Sequence, residues 1–215
     1  MMPVQADTYK LLKNGLWVEY ASLAWMTIEG LISIYSGIMV SSLALLAFGG
    51  DSIVELLSSA AVVRHLRALT HSPGQDTHVD DSRTEWATTL LLFSLIPLIS
   101  LGIVYSVVTG IEPEASTLGI GVAVGAVIIM PMLWYQKKRI GKICNCLPLE
   151  IDASESATCF LMSIALLAGL VVNYFLKLPW ADYLVTVLIL IFVIKEGVES
   201  YREVSAKHRE IQADG

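Results

Sequence analysis

Asp51 and Glu55 stand four residues apart inside an otherwise apolar stretch, and Glu155 and Cys159 repeat that spacing about a hundred residues later. Residues four apart share one face of a helix. Each stretch therefore presents two potential metal-binding side chains one turn apart. An ionisable group in hydrocarbon costs roughly 2.5–3.5 kcal/mol on insertion scales, and marks a functional site by default. Brought face to face, the pairs would supply three carboxylates and one thiolate, a donor set suited to tetrahedral Zn²⁺ or a similar transition ion. A divalent cation also removes the objection to burying three acids together. Without it, crowded carboxylates hold on to protons. Metal binding would then expel those protons, which makes Asp51, Glu55 and Glu155 the candidates for proton coupling. Glu29 is a further acid in an apolar stretch, and reads equally well as a site group or a structural one.

These residues need membrane helices to position them. The 215-residue chain is 55% hydrophobic and only 16% charged, with a mean hydropathy of +0.65. Soluble domains run nearer 45–50% apolar and about 25% charged. An apolar run of about 20 residues crosses a bilayer. Six such spans are predicted, at about 23–40, 43–66, 86–109, 118–135, 153–175 and 181–198. The expected fold is all-α: a polytopic membrane protein of six transmembrane helices. Residues 1–20 are predicted to form an amphipathic helix on the membrane surface, with Leu11, Leu12, Leu16 and Trp17 turned to lipid. Residues 21–200 form the transmembrane domain, and 201–215 a short charged tail continuing the last span.

Orientation follows from Lys and Arg. Of 14 basic residues, all but Lys177 fall in or beside the N-terminal segment, the second-to-third connection, the fourth-to-fifth connection or the tail. Both termini are therefore expected in the cytoplasm. The first 20 residues lack the apolar core of a signal peptide. The net charge of −6 offers no basic footprint for nucleic acid. No nucleophile–base pair, phosphate loop or haem motif suggests an enzyme.

Other features read more plainly. His71, Asp76, His78, Asp80 and Asp81 form a polar connection that could hold a secondary metal, with Asp152 as a further candidate ligand; a solvated loop is the simpler reading. Cys144 and Cys146 read as reduced thiols rather than a metal hand-off point. Gly121 and Gly125 place two small residues on one face of the fourth span, which permits close helix packing.

The stretch Ser41–Leu69 resembles the second helix of the cation diffusion facilitator family of zinc and manganese exporters. The family's Asp-Ser-x-x-Asp pattern reads here Asp51-Ser52-Ile53-Val54-Glu55. Ser41-Ser42-Leu43-Ala44-Leu45-Leu46-Ala47 resembles its lead-in. In the fifth span Asp152, Glu155 and Cys159 fit the frame of the family's second half-site, and Trp180-Ala181-Asp182 resembles the approach to its last helix. The resemblance implies a metal site of Asp51, Glu55, Glu155 and Cys159, a transported cation that is most simply Zn²⁺, counter-flow of protons, and a homodimer. Glu155 and Cys159 depart from the family's usual His or Asp. The family's cytoplasmic domain after helix six has no counterpart, so the chain resembles a minimal member or a zinc-binding transmembrane relative. The expected function is proton-coupled export of a divalent transition metal; the alternative is a membrane metal sensor, or a partner subunit that modulates another transporter.

Overall fold

A computed structural model describes residues 3–71, 78–144 and 146–213. Six helices follow in chain order: α1 (Pro3–Val40), α2 (Leu43–His71), α3 (His78–Thr109), α4 (Thr117–Cys144), α5 (Leu147–Leu176) and α6 (Trp180–Ala213). Five of them are long and apolar enough to cross a membrane. In α6 the apolar stretch gives way to Lys195 and Glu196 before it reaches that length.

The helices run up and down, so both described chain ends lie at one end of the bundle. Tyr20 of α1 accepts a hydrogen bond from Arg67 near the end of α2, and Thr89 near the start of α3 shares one with Ser200 of α6. At the far end the connections lock to one another. Asp182, at the start of α6, accepts from the Ser42 hydroxyl and from the backbone N–H groups of Leu43 and Ala44. A carboxylate there caps the orphan donors that open α2. Asn173 donates to the Pro113 carbonyl, and Tyr183 to that of Ile111. The resemblance around Trp180-Ala181-Asp182 thus falls on a structural cap.

Helices α1, α2, α4 and α5 pack as a four-helix unit, and α3 and α6 form a pair against α2 and α5. Met26, Leu45, Phe48, Met130, Met162, Leu166 and Ile189 fill the core. A smaller cluster of Val62, Leu66, Ile140, Cys146 and Leu149 closes the four-helix unit at the termini-bearing end.

Three expectations are corrected. The described part of the 1–20 segment, residues 3–20, is not a separate surface helix. From Pro3 onward they are the opening turns of α1, with Leu12 and Leu16 packed on that smaller cluster while Trp17 stays exposed. Residues 137–144 are not a loop: α4 continues through them, and Lys137 is completely buried. The second-to-third connection is shorter than its polarity suggests, since α2 includes His71 and α3 begins at His78. In each case apolar periodicity ends where lipid would end, but the helix does not.

Candidate metal centre

The metal-binding side chains meet where α2 faces α5. Ligand atoms of Asp51, Glu55 and Cys159 lie within 4.8 Å of one another. All three residues are buried, and neither carboxylate has a hydrogen-bond partner on either oxygen. A buried polar atom left unpaired costs about 1–3 kcal/mol, and more when charged. Four such oxygens and a thiol converging on one point make an environment suited to a positive charge.

The two helices run antiparallel, so their polar residues pair in rungs. Ser59 donates to Asp152 Oδ1 at 2.7 Å. One turn on, Glu155 lies within electrostatic reach of Asp51 and Glu55, with Oε2 unpartnered. Asp51 and Cys159 form the last rung. Glu155 is half-buried and falls outside the tight triad of Asp51, Glu55 and Cys159. The four expected residues thus share one interface, three of them in immediate proximity.

Glu29 of α1 completes the wall of the site. Its Oε1 accepts from Ser52 at 2.8 Å and from the Cys159 thiol at 3.6 Å, and its Oε2 from the Trp25 indole at 2.5 Å. Trp25 is itself seated against Gly125 of α4, where an added Cβ would sit 2.5 Å from the ring edge. Gly125 therefore serves close packing as expected, while a Cβ added at Gly121 would meet nothing within 4 Å. Spacing along the chain leaves the role of Glu29 open, because its partners Ser52 and Cys159 come from α2 and α5.

Glu196 of α6 is a residue the spacing missed. It stands within electrostatic reach of Asp51, Glu55 and Glu155, with Oε1 unpartnered. An acid inside a predicted span was the available signal, masked by the adjacent Lys195 and the charged tail.

The secondary candidates fare differently. Asp152 is ion-paired to Lys137 and hydrogen-bonded by Ser59. Asp76 lies outside the described residues. His71 ends α2 and His78 begins α3. Cys144 donates to the Gly141 carbonyl at 3.6 Å, and Cys146 is a free buried thiol beside the start of α5. Burial pushes the Cys146 thiol up to about 11.

A family model described as the cation efflux transmembrane domain matches residues 20–206. The chain is also similar to the manganese efflux system protein MneS of Bacillus subtilis (strain 168). The two are 23% identical over 203 residues, covering 93% of this chain and 70% of that protein.

Proposed function

The chain belongs to the cation efflux family, and from that premise we propose that it exports a divalent transition metal through Asp51, Glu55, Cys159 and Glu155, with protons moving the other way. Members of this family are membrane transporters rather than enzymes. The observation that carries the reading is the buried triad of Asp51, Glu55 and Cys159, with four carboxylate oxygens that no other group satisfies. A cation satisfies them; so do protons. Two states that exchange one for the other are what an antiporter needs. Alternating access follows from movement of packed helices around a fixed site. Both termini lie in the cytoplasm in this reading, and the working unit is a homodimer.

Zinc is the metal the four-residue set suits. Glu29 and Glu196 raise the number of oxygen donors near the site, and oxygen-rich sites suit manganese. The similar Bacillus protein is named for manganese efflux. Mn²⁺ is therefore the first substrate to test, and Zn²⁺ the second, supported by the thiol.

The test is flux of Mn²⁺ and of Zn²⁺ into proteoliposomes, with and without an imposed pH gradient, for wild type, Asp51→Ala and Cys159→Ser. Gradient-dependent flux that is lost in Asp51→Ala supports the reading. Full transport by Asp51→Ala refutes the site. Tight binding that needs Asp51, without flux of either metal, replaces the exporter with the sensor or partner-subunit reading.

A further inference from the structure

One turn beyond Glu155 towards the termini-bearing end, a second charged cluster lies fully inside the protein. Lys137 of α4 contacts Asp152 Oδ2 directly and sits 3.5 Å from Glu19 Oε2 of α1. Ser59 of α2 donates to the other Asp152 oxygen. Lys137, Glu19 and Asp152 are 0%, 0% and 1% exposed. Four helices thus meet at one buried ammonium.

The carboxylates of the cluster are not fully paired. Two carboxylates share a single ammonium, and neither Glu19 oxygen has a hydrogen-bond partner among the described residues. Buried charges are normally paired in full. Glu55 and Glu155 lie within electrostatic reach of the same ammonium, so the cluster is continuous with the metal centre. Two carboxylates and a hydroxyl are hard oxygen donors, and two negative charges match one divalent cation. The position already holds a cation, but a singly charged one on a flexible four-carbon stem. Lys137 lies near the end of α4, from where such a stem can snorkel to the interface.

We propose that Glu19, Asp152 and Ser59 form a second cation station on the route to the metal centre, and that Lys137 is its tethered counter-ion, displaced when a divalent metal enters. The proposal rests on the exporter reading for the direction of travel, but not for the site itself. Lys137 occupies the station between transport cycles, and its return to Asp152 drives the metal on towards Glu155.

The test uses the full chain in detergent, with Mn²⁺ as the probe, counted by equilibrium dialysis. Wild type is expected to hold one ion per chain tightly, lost in Asp51→Ala. Lys137→Met is expected to hold one more, which survives Asp51→Ala and disappears in Lys137→Met/Glu19→Gln. A second readout needs no variant. Acetic anhydride labelling of Lys137, followed by mass spectrometry, should speed up several-fold in saturating Mn²⁺ because the amine leaves Asp152. This arm decides the matter if Lys137→Met does not fold. One ion in wild type, no gain in Lys137→Met and unchanged labelling would overturn the station and leave the metal centre standing. No ion in wild type, with one in Lys137→Met that needs Glu19, would refute the metal centre and support the station.

Discussion

Gly125→Ala adds one methyl group and should disable the metal centre from a different helix. The new Cβ would lie 2.5 Å from Trp25 Cη2 and 3.1 Å from Cζ2, where ordinary contact begins near 3.4 Å. The indole must move about 0.9 Å, the difference between the first of those distances and ordinary contact. Its Nε1 now donates to Glu29 Oε2 at 2.5 Å. A shift of that size carries the pair to the edge of hydrogen bonding. Overpacking costs roughly 1–3 kcal/mol, and a hydrogen bond to a charged group is worth roughly 1.5–3 kcal/mol. Against this stands a gain of about 1 kcal/mol for Ala over Gly in a helix interior. The net expectation is a loss of about 1.5–5 kcal/mol. Glu29 also accepts from Cys159, and loss of a group that orients a metal ligand typically lowers affinity about 10–100-fold. Thermal unfolding in detergent and Mn²⁺ or Zn²⁺ titration measure the two effects. Gly121→Ala is the control, since a Cβ added there meets no other group within 4 Å; it should be neutral or slightly stabilising. If Gly125→Ala behaves like Gly121→Ala in both assays, the Gly125–Trp25–Glu29–Cys159 chain has no mechanical role.

Three further outcomes are expected. Asp182→Ala should lower stability by about 1–3 kcal/mol, because it removes the acceptor for the Ser42, Leu43 and Ala44 donors at once; Asp182→Asn should recover part of that, and a thermal melt that does not move would contradict the cap. Cys146, with its thiol raised from 9.0 to about 11, stays neutral at pH 7 because burial disfavours the thiolate; its alkylation by iodoacetamide should therefore be slow and climb about tenfold per pH unit up to pH 10, whereas a plateau by pH 9 would mean the thiol is open to water. Cys159→Ser replaces a soft donor by a hard one, so the ratio of Cd²⁺ to Mn²⁺ transport should fall by about tenfold or more; an unchanged ratio would remove the thiol from the coordination sphere.

The parts of the fold legible from residue order are those set by apolar content. The far-end boundaries of the predicted spans, 40, 43, 109, 118, 175 and 181, fall within one residue of the helix ends, because polar turns interrupt lipid-length segments there. At the opposite end every helix runs on by a turn or more past its predicted span. Helices α1, α4 and α6 carry charged residues outward as helix, and hydropathy registers charge, not backbone. Asp51, Glu55 and Cys159 are legible because their spacing lies within single helices. Glu29 and Glu196 are not, since their relation to the site depends on how α1 and α6 lean against α2. Lys137 escapes for the same reason. A lysine among other basic residues reads as surface, and only Glu19 and Asp152, from two other helices, hold it inside.

The pairing of charges has a consequence for how such a chain can enter a bilayer during synthesis. Ser52 and Trp25, the firmest partners of Glu29, lie within the α1–α2 hairpin. Lys137, the partner of Asp152, lies within the α4–α5 hairpin. Each hairpin therefore inserts with one of its acids already answered by a neighbour made within a few dozen residues of it. Asp51 and Glu55 have no such companion among the described residues, and must wait for α5 to emerge roughly a hundred residues later. At about 2.5–3.5 kcal/mol for each ionised group, protons are their cheapest escort into lipid. The newborn protein would thus enter lipid with both acids protonated, and the cluster of Asp51, Glu55 and Cys159 would form only after α5 has docked.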